Sequence, residues 1–258
     1  MQPDLSSLGL GPMRYFPSLG SSNDEARLWA EEGAPDLALV LANEQTAGRG
    51  RFNRQWITRP GAALAFSLIT HPSDAEKANL ACLAAWGAIA VAQALEQVVQ
   101  LPVAIKWPND VLIRGRKVCG ILVEPIWVGQ ELQAVVTGIG VNIHPAAVPP
   151  ASQTLFPATS VEGEAGAPVD RWEILRAILS GMLEWRTLIG EPEFYEAWNA
   201  RLAFKGERVT ITSGYDAGLD RQGVLIGVDA DGALRLESED GSEFTAKVGD
   251  VHLSPVGG

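Results

Sequence analysis

A glycine- and arginine-rich stretch, Ala47-Gly48-Arg49-Gly50-Arg51, with Trp56 shortly after it, has the residue types best suited to binding chemistry. Glycines leave backbone N–H groups accessible to a ligand because they carry no side chain. Guanidinium groups pair with phosphate or carboxylate oxygens, and an indole offers a flat apolar face for a ring. The stretch predicts a site for a small anionic ligand with an aromatic part, such as a nucleotide. The alternative is a flexible surface loop with two solvated arginines.

Two further stretches place lysines beside turn and strand residues. Lys106-Trp107-Pro108-Asn109-Asp110 follows a short apolar run, and its last three residues are also ordinary turn chemistry. Lys117 opens the apolar run Lys117 to Glu124, where its stem would lie along a sheet with its ammonium in a pocket. The alternative for Lys117 is an edge lysine that protects a strand. Gly120 in the same run indicates that something approaches the strand closely.

A fourth stretch, Gly138-Ile139-Gly140-Val141-Asn142, places two glycines in a predicted strand. Glycines weaken a strand unless a ligand or a backbone must come near. The apolar phase of the strand also changes after Gly138, which predicts either a bulge or a close approach there. The amide of Asn142 suits a base edge, and the alternative is a twisted strand that ends in an asparagine turn.

Composition limits the class of protein. The chain has 258 residues, 47% of them hydrophobic, and a formal net charge of −11, which argues against general binding to nucleic acid or anionic membranes. Cys82 and Cys119 could form one disulfide, but two cysteines far apart in the sequence do not indicate a disulfide framework, which favours a reducing cytoplasm. No secretory signal is visible. The long apolar segment 80–99 contains Gln93 and Glu96, so we expect a buried core helix and not a membrane span.

Hydrophobic periodicity predicts alternating helices and strands. We expect helices at 22–32, at 75–99, around 175–182 and at 192–202, and an irregular connection at 144–169. We expect strands at 37–43, 63–70, 103–106, 111–114, 117–126 and 131–143, and then at 208–212, 223–228, 233–237 and 243–248. The first helix begins with Ser22, followed three residues later by Glu25, which predicts a capping box. The close strand spacing after Lys205-Gly206 predicts a small β-barrel domain.

Taken together and in this order, the four stretches resemble the biotin protein ligases, also called biotin–[acetyl-CoA-carboxylase] ligases. The family hallmarks are a G-R-G-R…W loop, K-W-P-N-D, K-x-x-G-I-L-x-E and G-x-G-x-N, and all four occur here. The early S-T-N motif of the family appears as Ser21-Ser22-Asn23. The resemblance covers roughly residues 15–255. It implies an α+β fold: a mixed β-sheet with helices on one side, as in class II synthetase-like catalytic domains, over residues 1–204, and an SH3-like barrel over residues 205–258.

The resemblance also implies a reaction and a set of site residues. The enzyme would activate biotin with ATP and Mg²⁺ as biotinyl-5′-AMP, and then modify a lysine of a biotin carboxyl carrier protein. Lys117, Arg49 and Arg51 would be the catalytic cations. The implied binding residues are Ser21, Ser22, Asn23, Gln45, Gly48, Arg49, Gly50, Arg51, Trp56, Lys106, Asn109, Asp110, Lys117, Gly120, Gly138 and Asn142. By the same resemblance, residues 47–56 would order only over bound ligand.

Departures from the family pattern are small. Gly20 stands where aspartate is common, Ser22 replaces threonine, and Thr46 follows Gln45 where a second glutamine is common. About twenty residues precede Ser21, so we expect the monofunctional type without the helix-turn-helix domain and without DNA as a partner. A lipoate–protein ligase, a non-catalytic biotin or nucleotide-binding homologue, and a homodimer stay open as alternatives. The metal ligands and the carrier cannot be assigned from the sequence.

Overall fold

Two β-sheets organise the protein, whose computed structural model describes residues 3–56, 58–154, 156–212 and 220–253. The helices in this part of the chain are α1 (Ser22–Glu31), α2 (Asp74–Ala78), α3 (Leu83–Val99), α4 (Val161–Ala165), α5 (Arg171–Arg186) and α6 (Pro192–Arg201). The first sheet contains β1 (Met13–Phe16), β2 (Ala38–Ala42), β3 (Ala63–Thr70), β4 (Val103–Lys106), β5 (Asp110–Ile113), β6 (Arg116–Val128) and β7 (Glu131–Asn142). The second contains β8 (Arg208–Thr212), β9 (Arg221–Val228), β10 (Leu234–Glu237), β11 (Glu243–Ala246) and β12 (Asp250–Leu253).

The seven-stranded sheet has the order β1-β2-β3-β7-β6-β5-β4. Strands β1 and β2 are parallel, and the other neighbours are antiparallel. All residues of β2 and β3 are buried, because these strands are covered on both faces. The mixed sheet with helices confirms the predicted fold class.

Helices cover the two faces unequally. On one face, α3 packs on α5, and the Trp86 indole donates to the Met182 carbonyl oxygen at 2.8 Å. On the other face, α1 packs on β2, β3 and β7 through Ala26, Val40 and Val136. The expected helical layer on one side is therefore present, and α1 adds a shorter layer on the opposite side.

The helix expected at 75–99 is interrupted at Asn79. That residue leaves the helical region with φ −118° and ψ 34°, and its side-chain amide donates to the Ala75 carbonyl oxygen. The side-chain amide thus takes the place of the backbone N–H that would bond to this carbonyl in a continuous helix. Helix α2 therefore ends, and a 3-10 turn leads into α3. The span Leu80–Val98 is long and apolar enough to cross a membrane, but 67% of it is buried inside the protein. It is the buried core helix that the sequence predicts.

Strand β7 runs past Gly138 without a bulge. Its register with β3 and β6 is continuous there, and the register shift with β6 lies at Ile126/Trp127 instead. The apparent change of apolar phase has another cause. Ala134 and Val136 pack in the apolar cluster beneath α1. The next residues on the same face of β7, Gly138, Gly140 and Asn142, line a cavity instead. The second alternative, a close approach at Gly138, is the one that the structure has.

The second sheet is antiparallel, with the order β11-β10-β9-β8-β12, as expected for a small SH3-like domain. Strand β12 was not predicted. The sheet packs into the same core as the seven-stranded sheet, and the Trp107 indole donates to the Gly232 carbonyl oxygen at 3.0 Å. The connection at 144–169 is mostly irregular, as expected, but it contains α4. Cys82 and Cys119 are both buried free thiols.

Candidate functional site

A cavity of about 680 Å³ opens where β6 and β7 meet the loop between β2 and β3. Its lining includes nearly every residue that the sequence assigned to the site. These are Ser21, Ser22, Asn23, Gln45, Arg49, Gly50, Arg51, Trp56, Lys106, Asn109, Asp110, Lys117, Gly120, Gly138 and Asn142. Gly48 is not among the lining residues. It lies directly behind them, because a Cβ on Gly48 would come within 2.8 Å of the Gln45 amide nitrogen.

Two paired glycines form the floor of the cavity. Gly120 of β6 and Gly140 of β7 are register partners, and the indole of Trp56 lies against both. A Cβ on Gly140 would overlap the Trp56 ring, and one on Gly120 would lie 3.2 Å from it. The buried Trp56 Nε1 has no hydrogen-bond partner among the described residues. The glycines are therefore needed so that a large aromatic ring can lie directly on the sheet.

The N-terminus of α1 supplies the uncharged end of the cavity. The Ser22 backbone N–H donates to Gln45 Oε1 at 2.6 Å, and Ser22 Oγ lies 2.8 Å from the buried Ser67 Oγ. The predicted capping box at Ser22 is wrong, because the helix N-cap is Ser21, which makes no side-chain cap. Both polar groups of Ser22 are used by the site instead.

Asn23 joins this end to a charged rim. Its Nδ2 donates to the Leu122 carbonyl oxygen at 3.2 Å and to Glu124 Oε2 at 2.7 Å. A Cβ on Gly138 would overlap Asn23 Oδ1, which is the close approach that the glycine permits. Arg49 donates to both carboxylate oxygens of Glu124, at 2.9 and 2.8 Å. The hydrogen bond to Glu124 is the main reason that the pKa of Arg49 is raised above its ordinary value.

Asp110 holds the two lysines. Its Oδ1 lies 2.6 Å from Lys117 Nζ, and its Oδ2 lies 3.8 Å from Lys106 Nζ. Lys106 is buried, 5.4 Å from the ring centre of Phe156, and Lys117 Nζ lies 5.8 Å from the ring centre of Trp56. Burial lowers the pKa of Lys106, although the charge of Asp110 opposes this. Two ammonium groups thus face one end of the cavity with a single carboxylate between them.

Arg51 connects the two sheets across the cavity. It donates to Asn109 Oδ1 at 3.1 Å, to Asp250 Oδ1 at 3.2 Å and to the Gly249 carbonyl oxygen at 3.3 Å. Arg54 donates to the other Asp250 oxygen at 2.7 Å. Burial alone would raise the pKa of Asp250, but the hydrogen bond and charge of Arg54 outweigh it and hold the pKa below the ordinary 3.8. Because the pKa of Asp250 is lower in the folded than in the unfolded protein, its ionised carboxylate stabilises the fold above pH 3.8. This contribution is lost as the pH falls through the lowered pKa.

Asn142 is committed to the wall of the cavity. Its Nδ2 donates to the Thr159 carbonyl oxygen at 3.0 Å, and the backbone of residues 157–159 bonds to that of Lys117. Glu164 is wholly buried and pairs with Arg116 at 2.6 Å, which fixes the same segment. The role of Asn142 in contacting a base stays a prediction. The hydrogen bond observed here positions the wall.

Several lining residues were not among the binding residues implied by the resemblance. They are Arg54, Gln55, Ile121, Leu122, Ile139, Gly140, Pro149, Gln153, Thr154, Phe156, Ala158, Asp250 and His252. The arginine-rich spacing could have indicated Arg54, and Gly140 was predicted as a close approach without being assigned to the ligand. Asp250 and His252 had no such indication, because they lie on a strand that was not predicted.

Replacing Asp250 with asparagine is expected to loosen the 51–54 loop. The substitution removes the carboxylate that both arginines share, and one partly exposed ion pair of this kind is worth about 1 kcal/mol. Trypsin cleavage after Arg51 and Arg54 in the unliganded protein should then be about fivefold faster. Asp74→Asn is the control, because Asp74 is exposed and pairs only weakly with Lys77. Equal cleavage rates in the Asp250 variant and the parent protein would contradict the role of Asp250.

Known proteins share both the sequence pattern and the fold. Residues 16–142 match the family model described as the biotin/lipoate A/B protein ligase family. The chain is 37% identical over 235 residues to the biotin--[acetyl-CoA-carboxylase] ligase of Paracoccus denitrificans, covering 86% of this chain and 93% of that protein. It is 31% identical over 241 residues to the ligase of the same name from Mycobacterium tuberculosis, covering 91% and 86%.

A solved structure extends the similarity to three dimensions. The biotin protein ligase from Aquifex aeolicus, in complex with biotin and ATP, superposes with a TM-score of 0.79 at 25% identity. The superposition covers 94% of this chain and 98% of that one. The matched region therefore extends over nearly the whole chain.

Proposed function

Because this chain belongs to the biotin protein ligase family, we propose that it is an ATP-dependent biotin–[acetyl-CoA-carboxylase] ligase. In the first step, a biotin carboxylate oxygen attacks the α-phosphorus of ATP, and pyrophosphate leaves with formation of biotinyl-5′-AMP. In the second step, a lysine amine of a carrier protein attacks the anhydride carbonyl. An amide forms and AMP leaves. The observation that carries the proposal is a single cavity that joins an uncharged hydrogen-bonding end to a cationic end.

The uncharged end suits the ureido ring of biotin. Ser22, Asn23 and Gln45 are buried, polar and neutral, so they offer donors and acceptors without favouring a charged ligand. Gln45 uses its carbonyl oxygen for the Ser22 N–H and keeps its amide N–H groups for a ligand. We assign Ser21 to the same end, because it also lines the cavity.

The cationic end suits the reacting anions. A carboxylate and a triphosphate repel each other, so cations preorganised around them lower the barrier. Lys117 and Arg51 are the catalytic cations in this assignment, and Lys106 and Asn109 line the nucleotide side. Trp56 lines the cavity and offers the face of its ring to the adenylate. Arg49, the third of the expected catalytic cations, lies at the rim of the cavity, where Glu124 holds its guanidinium.

Magnesium would arrive as the ATP complex. The described residues contain no group of three histidine, cysteine or acidic side chains that could hold a metal by themselves. Magnesium usually keeps phosphate oxygens and water as ligands and takes one or two carboxylates from the protein. Asp110 and Asp250 are the carboxylates within the cavity, and each is already paired with cations.

The proposal extends to domains, partners and location. Residues 1–204 would carry catalysis, and residues 205–258 would form a small domain that contributes Asp250 to the cavity. The carrier would be the biotin carboxyl carrier domain of acetyl-CoA carboxylase. Strands β1 and β4 are the edges of the large sheet, which suits pairing with the carrier or with a second copy. The net charge of −11 and the two free thiols favour a cytoplasmic enzyme without a DNA partner.

One assay tests the proposed function. The purified protein is incubated with ATP, Mg²⁺ and labelled biotin, with and without an apo biotin carrier domain, and with lipoate in parallel. Label on the carrier supports the ligase assignment, whereas transfer of lipoate would place the protein with lipoate ligases. If the folded protein forms no adenylate, the mechanism is overturned and the protein is a non-catalytic binding protein.

A further inference from the structure

A chain of hydrogen bonds runs from the partly exposed rim of the cavity to its buried, uncharged end. Glu124 accepts from Asn23 Nδ2, Asn23 Oδ1 lies 2.6 Å from Ser67 Oγ, and Ser67 Oγ lies 2.8 Å from Ser22 Oγ. Ser67 is fully buried on β3 and does not line the cavity. No motif in the sequence pointed to it. The chain therefore ends on the cavity side at Ser22.

The direction of this chain follows from its far end. Glu124 and the Leu122 carbonyl oxygen are acceptors, so the Asn23 amide must present its N–H₂ group to them and its oxygen to Ser67. A serine hydroxyl has one proton, and Asn23 Oδ1 accepts only, so Ser67 donates to Asn23. Ser22 must then donate its own proton to Ser67.

The consequence is a fixed polarity at the cavity wall. With its proton committed to Ser67, the Ser22 oxygen has only lone pairs left for a ligand. A ligand group that donates an N–H satisfies this oxygen. A ring without a donor leaves it desolvated and unpaired, and a buried polar group without a partner is costly.

We propose that Ser67 is a positioning residue that selects substrate by holding Ser22 as an acceptor. This rests on the proposed function, within which biotin carries ureido N–H donors and the dithiolane ring of lipoate carries none. Removing the Ser67 hydroxyl frees the Ser22 proton and leaves Asn23 Oδ1 without its donor. The cavity then loses part of its preference for an N–H donor, while the cationic end is unchanged.

Ligand binding and steady-state kinetics test this on purified Ser67→Ala protein. Dissociation constants are measured for biotin, for desthiobiotin, which keeps both ureido N–H groups, and for lipoate. We expect biotin and desthiobiotin to bind about tenfold more weakly, with lipoate binding unchanged. The KM for biotin should rise by a similar factor, whereas kcat and the KM for ATP should not change.

Controls separate this role from a general loss of fold. Thr70→Val removes another buried hydroxyl from β3, one that bonds the Val135 carbonyl oxygen outside the cavity, and should leave all three ligands unaffected. If Ser67→Ala does not fold, Ser67→Cys takes its place, because a thiol is only a weak donor.

Three results would overturn the inference. Biotin binding by the folded Ser67 variant that matches wild type would overturn the positioning role and leave the proposed function standing. If the Ser67 variant binds biotin, lipoate and ATP more weakly by the same factor, Ser67 has only a structural role. A wild-type protein that binds neither biotin nor desthiobiotin would overturn the proposed function, and this inference with it.

Discussion

Lys117→Met should lower kcat/KM for adenylate formation by about 100- to 1,000-fold, which is the usual loss for one preorganised charge partner. Methionine keeps most of the length and packing of the side chain but removes the ammonium that lies 2.6 Å from Asp110. The remaining buried lysine, Lys106, is 3.8 Å from the same carboxylate and has a pKa that burial lowers. It is therefore poorly suited to replace the lost charge. Release of labelled pyrophosphate at saturating biotin measures the effect.

The control for this change is Lys77→Met. Lys77 lies on α2, is not among the residues that line the cavity, and makes a 3.8 Å pair with Asp74 at the surface. Its loss should leave adenylate formation unchanged. Full activity in folded Lys117→Met protein would remove Lys117 from the chemistry and leave Arg51 as the cation to test next.

Gly140→Ala should weaken ligand binding by about 5- to 150-fold, equivalent to the 1–3 kcal/mol cost of overpacking. The new Cβ would overlap the Trp56 indole. The backbone has little room to move, because Gly140 pairs with Ala65 on one side and Gly120 on the other. Trp56 must therefore leave the floor of the cavity. Calorimetric titration of the protein with biotin and, separately, with ATP measures the affinity for each ligand.

A double-mutant cycle identifies the cause of this loss. In a Trp56→Ala background the ring is absent, so adding Gly140→Ala should cost little more. Gly181→Ala is the matched glycine control, because its Cβ would meet Ala90 at an ordinary 3.4 Å. If Gly140→Ala costs as much without Trp56 as with it, the strand backbone and not the ring is responsible.

The sequence was most informative where local and tertiary preferences agree. Strands β3, β4 and β8 have the predicted bounds. The apolar residues of β3 and β4 suit a covered sheet, and the alternating residues of β8 suit a sheet with one buried face, so local and global preferences agree. The glycines of the cavity floor were also predictable as close approaches. What approaches them was not: Asn23 at Gly138 and Trp56 at Gly140 come from distant segments.

The failures have physical causes in particular residues. Ser22 has the spacing of a helix cap, but Gln45 and Ser67 use its polar groups for the site. Local rules fail where a residue has a functional task, because tertiary partners override its local preference. Asp250 could not be found, since its pairing with Arg51 joins positions 199 residues apart. No periodicity in the sequence records a contact of that range.

That long-range pairing also has a consequence for how the enzyme is made. The arginine loop is synthesised early, but the carboxylate that anchors it belongs to β12, nearly two hundred residues later. During synthesis, Arg51 and Arg54 therefore lack this counterion until the chain has been extended past Asp250. The loop acquires its anchor only after β12 has emerged and docked. Any product that ends before Asp250 would keep the lysine pair and lose the anchor of its loop.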